Sequence, residues 1–170
     1  TVQLADTASF AAGAVFAAWE QALGRRLVAT AGIRADAAGL SASTANPLQN
    51  LSPRLALRYH LSSHWAANAN LGQYSQLPPA IIQAANTSQD RRQDLASALV
   101  RQAAAGVEYQ NGQTYRVSIE GYYKGYSRYP FLLEDQISYA NAIGAYVAVG
   151  DQASTPTSEG RAYGLEVFLQ

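Results

Sequence analysis

At 170 residues the chain is long enough for one ordinary domain, and its 48% hydrophobic content can supply a buried layer. Twelve basic and twelve acidic residues cancel, so no charge imbalance points to nucleic acid or to an acidic partner. The absence of cysteine removes disulfides, thiolate zinc sites and a cysteine nucleophile together. From Thr1 no charged segment leads into an apolar core, which places any secretory signal outside this chain. No run of about 18 uncharged apolar residues occurs, so a membrane role would have to be carried by strands.

Period-two alternation recurs along the chain, and seven strands are expected. The first, about 9–22, carries Val15, Ala17 and Trp19 on one face and Glu20 on the other. Gly24-Arg25-Arg26 turns it into 26–37, where Leu27, Ala29, Ala31 and Ile33 alternate with Arg34 and Asp36. After a long loop, 38–50, strand 51–62 sets Leu55, Leu57, Tyr59 and Leu61 against Arg54, Arg58 and His60. Ser62-Ser63-His64 then turns into 64–76, with Trp65, Ala67, Ala69 and Leu71 odd and Asn68 and Asn70 even. A second long loop, 77–96, precedes 97–110, where Ala103, Ala105, Val107 and Tyr109 share the odd face and Glu108 takes the even one. Strand 113–129 has Tyr115, Val117, Ile119 and Tyr123 odd, and Arg116, Ser118, Glu120, Lys124 and Arg128 even. The loop 130–157 leads to 158–170, with Tyr163, Leu165, Val167 and Leu169 odd and Glu166 even.

Short turns and long loops take turns, so one end of the sheet should collect every turn and the other every loop. Most of these strands exceed the roughly 5–6 residues usual in soluble sheets and approach the roughly 9–11 needed to cross a bilayer at a tilt. At Gln110-Asn111-Gly112 a two-residue turn would set Val107 beside Arg116 on one face. A three-residue loop with Gly112 left-handed keeps the apolar row intact. It pairs Tyr109 with Gln113 and Val107 with Tyr115, and sets Glu120 opposite Gln102 and Glu108 opposite Thr114.

An antiparallel sheet packed on a core is the common cause of such alternation. Here no second apolar layer is left over to cover the dry face. Trp19, Tyr59, Trp65, Tyr109 and Tyr115 lie on that face near the short turns, and Tyr123 and Tyr163 lie toward the other end. Two aromatic girdles bounding an apolar band are the mark of a face that meets lipid.

Four segments resemble consecutive barrel strands of TonB-dependent outer-membrane receptors. They are "FAAWEQALGRRLVATAGIRAD" (16–36), "LSPRLALRYHLSSHWAANANLGQYSQLPP" (51–79), "GVEYQNGQTYRVSIEGYYKGYSRYP" (106–130) and "GRAYGLEVFLQ" (160–170), in the family's order. The resemblance implies a fold of about 22 antiparallel strands around an N-terminal plug domain. It further implies uptake of a scarce nutrient, such as a siderophore, cofactor, oligosaccharide or peptide, across the outer membrane of a Gram-negative bacterium. The partners implied are membrane lipid, the remaining barrel and plug, the inner-membrane TonB complex reached through an N-terminal part, and a surface-exposed lipoprotein. The chain itself is expected to be a partial barrel domain over 1–170 without plug or TonB box, because about seven strands are too few to close.

No catalytic, metal or cofactor site is expected. His60 and His64 are spaced i, i+4 across a strand and turn without an accompanying Glu or Cys, and read as lumenal or rim residues. No Gly-x-Ser-x-Gly or phosphate-binding glycine loop occurs, and Glu108 and Glu120 read as parts of a charge-balanced wall. Arg34, Asp36, Arg54, Arg58, Arg116, Glu120, Lys124 and Glu166 are the lumen-facing residues, structural in a salt-bridged wall or in contact with plug or solute. Two other readings stay open. A small closed barrel with a structural or adhesive role requires an eighth strand within 137–149. A soluble β-sandwich module requires a second apolar layer.

Overall fold

A computed structural model describes residues 9–86, 95–112, 114–142 and 152–170. One antiparallel sheet of eight strands runs through them: β1 (Ala12–Leu23), β2 (Leu27–Ala38), β3 (Arg54–His60), β4 (Trp65–Gln76), β5 (Ala98–Asn111), β6 (Tyr115–Leu132), β7 (Ile137–Ser138) and β8 (Ser154–Leu169). Short helices α1 (Ala42–Ala45), α2 (Ala80–Ala85) and α3 (Tyr139–Ala142) sit in the long loops. None of the described helices is long and apolar enough to cross a membrane.

Each of the seven expected strands forms, and β7 adds a two-residue eighth. β7 pairs with Phe131 and Leu132 on the edge of β6 that β5 occupies lower down, while β8 takes the opposite edge. It is therefore an ornament of the loop, not the spanning strand a small closed barrel needs; residues 143–149 of that expected strand lie outside the described residues. The hairpin β6–β8 also grows upward, so the last long loop is 133–153 where 130–157 was expected. At 18 residues β6 spans about 60 Å, well beyond a hydrocarbon core.

The third strand is shorter than expected because Pro53 has no N–H for the ladder. Before it, Ser52 and Arg34 still exchange backbone hydrogen bonds at 2.7 and 3.2 Å, and Leu51 bridges Ala35. After it, β3 runs without interruption to His60.

The β5–β6 register departs from expectation. Asn111 pairs with Tyr115, Tyr109 with Val117 and Val107 with Ile119, so the turn sits two residues further along the chain and each β5 residue meets a partner four residues later on β6. Gly112 is left-handed, with φ 55°, but opens the three-residue loop instead of closing it. The shifted register keeps odd residues opposite odd ones, and it adds the Tyr109–Tyr115 stack at 6.0 Å and an Asn111 Nδ2 bond to the Tyr115 hydroxyl at 3.2 Å. Its consequence is that Glu120 faces Gly106 and Glu108 faces Ser118.

The two faces differ as the alternation requires. Val15, Leu71, Tyr163, Leu165 and Leu169 on the odd face stand open, from 58% exposed at Leu71 to 74% at Tyr163, with no layer over them. On the even face Ala66, Ala104 and Glu108 are buried although the sheet is a single layer. Their cover comes from neighbours on the same face leaning together, as on an inner wall. No second apolar layer is present among the described residues, and a sandwich core is absent there.

Among the described residues a small apolar core forms above the sheet. Ile82, Leu95, Leu132 and Ala142 cluster where the loops meet, with Ile81 and Tyr139 packed against them. Ser41 caps α1 by accepting from the Thr44 amide and also donates to the Leu95 carbonyl at 2.5 Å, tying the first loop to the second. Asn86 Nδ2 reaches the Ser154 hydroxyl at 3.3 Å, tying the second to the third.

At Gly106 the β5 backbone lies against β6 with no room for a side chain. A Cβ there would meet the Ile119 carbonyl oxygen and come within 2.9 Å of the Glu120 Cα. Gly106→Val is expected to destabilise the assembled protein by about 1–3 kcal/mol through overpacking against backbone, read as a lower urea midpoint of the folded form.

Candidate functional site

The even-numbered side chains of β2 to β8 form one polar wall. Its centre is Glu108 of β5, only 4% exposed, which accepts from Arg58 Nη2 at 2.7 Å and from the guanidinium of Arg116. Arg58 comes from β3, two strands away, and also donates to Asn68 Oδ1 at 3.1 Å on the intervening β4. Arg116 lies diagonally across the β5–β6 pair, with its guanidinium 6.0 Å from the Phe168 ring centroid. Both carboxylate oxygens of Glu108 are thus used, and four strands are crosslinked on their inner side.

Toward the long loops Arg34 binds Asp36 through a two-pronged contact, 2.7 Å for Nη2 to Oδ1 and 2.9 Å for Nε to Oδ2. The two residues are i and i+2 on β2, so both point to the same side. With Ala12, Ala14, Thr44 and Gln76 they line a cavity of about 530 Å3 beneath α1. Arg54 lies flat on Gly32, its cross-strand partner; a Cβ at Gly32 would be 3.0 Å from the Arg54 Nε.

Glu120 is directly opposite Glu166, and Lys124 opposite Ala162. Lys124 instead places its ammonium 5.0 Å from the centre of the Tyr122 ring, a cation–π contact. Like charges directly opposite destabilise a strand pair, and neither Glu120 nor Glu166 has an ion-pair partner among the described residues. A second cavity, about 360 Å3, lies over this stretch between Arg58, Glu108, Arg116, Glu120 and Glu166.

The wall therefore brings Arg58 and Arg116 together through Glu108, pairs Arg34 with Asp36, and leaves Arg54, Lys124 and the two glutamates apart. Glu108 was classed in the sequence as one of many balancing charges; its central place follows from register, and only the burial of its carboxylate distinguishes it. Tyr122, Tyr74, Phe16 and Phe168 also occupy even positions, so the wall is aromatic as well as charged.

On the other face, Trp65 and Tyr109 meet at 5.0 Å between ring centroids, Tyr109 stacks on Tyr115, and His64 lies 6.0 Å from Tyr109. Tyr59, one residue from the end of β3, faces Leu27 and Ala67. Trp19 stands four residues from its turn, in the register row that runs on to Tyr123 and Tyr163. His60 belongs to the inner face and His64 to the rim, so the two rings do not converge.

A sheet with a continuous polar wall on one side and an apolar, aromatic-bounded band on the other matches a known family over nearly its whole length. The family model described as "TonB dependent receptor-like, beta-barrel" matches residues 2–170. No curated protein and no solved structure gives a significant match. The chain belongs to the TonB-dependent receptor-like β-barrel family, a family of transporters of the Gram-negative outer membrane.

Proposed function

We propose that this chain is part of the barrel of an outer-membrane receptor that imports a scarce nutrient too large to diffuse, such as a siderophore, a cofactor or an oligosaccharide, with energy delivered by the TonB complex. The observation that carries the reading is the family match over 2–170 on a single antiparallel sheet of eight strands. β1 and β8 do not pair with one another among the described residues, and an open strand edge is not viable in lipid. Further strands of the same receptor cover both edges in this reading, and its plug fills the space beside the polar wall.

Within that wall, Glu120 and Glu166 are the residues for plug contact. They face each other without a cation of the sheet, so a basic side chain of the plug would relieve their repulsion. Arg34, Asp36 and Arg54, nearer the long loops, are better situated for a passing solute, and Arg58 and Arg116 serve the wall itself. A surface lipoprotein over the loops is the further partner of this reading.

The test is growth and labelled uptake in cells carrying the intact receptor. Uptake that requires both the receptor and TonB is expected, with E120Q/E166Q impairing uptake while the receptor stays in the membrane with its heat-modifiable gel mobility. Undiminished uptake by cells lacking TonB, for every solute that needs the receptor, would refute the energised-transport reading.

A further inference from the structure

The odd face carries three charged residues in the described strands, Arg101, Glu159 and Arg161, and all three are gathered at one place. Arg101 of β5 faces Gly125 of β6, and Gly125 faces Arg161 of β8. The two arginines therefore flank a residue without a side chain, roughly 10 Å apart between backbones. Two residue pairs nearer the short turns, the same three strands present Ala103, Tyr123 and Tyr163. Both tyrosines and both arginines are exposed.

This position matters because lipid is the solvent of the odd face. A charge there is costly at mid-membrane and nearly free at the interface, where aromatic rings gather. Tyr123 and Tyr163 mark that interface on the long-loop side. Arg101 is held: its Nε donates to Gln73 Oε1 at 3.0 Å, while Gln73 Nε2 donates to the Leu51 carbonyl at 2.9 Å. Neither the terminal nitrogens of Arg101 nor the Arg161 side chain makes a hydrogen bond or ion pair among the described residues. Arg101, Tyr123, Gly125, Glu159 and Arg161 line a cleft of about 520 Å3. Glu159 is the acidic neighbour and leaves the group with one net positive charge.

We propose that Arg101 and Arg161 clamp the phosphate of an anionic lipid headgroup in the leaflet on the long-loop side, with Tyr123 and Tyr163 against its upper acyl chain. Guanidinium groups offer paired N–H donors that suit phosphate oxygens, and Gly125 leaves the space between them. The proposal rests on the odd face meeting lipid, as the barrel reading requires.

The intact receptor, assembled in detergent and stripped of lipid, is incubated with phosphatidic acid or with diacylglycerol of the same chains, and bound lipid is counted by native mass spectrometry. Phosphatidic acid adducts are expected to exceed diacylglycerol adducts, and R101Q/R161Q should lower them about tenfold or more. R101K/R161K should retain part of the binding. Equal retention of the two lipids by the unaltered receptor overturns the proposal, as does unchanged retention by an R101Q/R161Q receptor that keeps its heat-modifiable mobility. Displacement of the lipid by millimolar inorganic phosphate would assign the clamp to a free anion and overturn the lipid assignment. If R101Q/R161Q does not assemble, the comparison of lipids on the unaltered receptor decides. Failure of the barrel reading looks different: no heat-modifiable form and no adduct of either lipid.

Discussion

Leu57→Arg is expected to cost the assembled receptor about 2–4 kcal/mol, whereas the same arginine one residue earlier, at Ala56, should cost about 1 kcal/mol or less. Leu57 pairs with Ala29 and Ala69 on the odd face, with apolar rows on either side. Ala56 pairs with Thr30 and Asn70 on the even face, where an arginine meets polar groups and water. The two sites are adjacent in the chain, so strand propensity and position nearly cancel, and the difference reports which solvent each face meets. The measurement is the urea midpoint of the heat-modifiable band for both variants. Equal midpoints, or a larger loss at Ala56, would mean that the apolar face is the inside.

The second large effect concerns Glu108. Removing both of its partners, R58Q/R116Q, leaves a buried carboxylate without a counter-charge and is expected to destabilise the receptor by about 3–5 kcal/mol. E108Q leaves two arginines whose side chains are 40% and 47% exposed, so water screens their repulsion. The expected loss there is only about 1–2 kcal/mol. Adding E108Q to R58Q/R116Q should recover much of what the double variant lost, because the orphaned charge is gone. Additive losses across the three substitutions would show that Glu108 is hydrated and that the network contributes little.

These two experiments probe different layers of what the chain encodes. The contrast between Leu57 and Ala56 was visible in the sequence, since alternation with period two assigns a face to every residue once one residue of a strand is assigned. The aromatic residues beside the short turns and the alternation of short and long connections extended that assignment to the solvent on each face. The inner network was visible only as a list of even-numbered charges. Nothing in the spacing of Arg58, Glu108 and Arg116 says that they meet, because Arg58 is fifty residues from Glu108 and their contact crosses a whole strand.

The β5–β6 turn shows where local reasoning stops. Gly112 announces a left-handed residue and the faces forbid an odd slip between the strands, yet two registers whose pairing differs by four residues satisfy both conditions. The choice fell to contacts that lie outside the turn, the Tyr109–Tyr115 stack and the Asn111 bond to Tyr115. That choice set Glu108 diagonal to Arg116 and set Glu120 opposite both Gly106 and Glu166. The third strand was expected over 51–62, straight through Pro53; the structure starts it at Arg54, because Pro53 has no N–H donor for the ladder.

By itself, then, the sequence determined the antiparallel strands, the two faces and the end at which the loops gather. These follow from a two-residue period and from turn chemistry, both of which act over a few neighbouring residues. Tertiary structure alone decided which charges became partners, how the three loops tie together around Ile82 and Leu132, and that Arg101 and Arg161 face each other across Gly125. Those are properties of register between strands, and register is chosen by the sum of contacts along whole strand pairs.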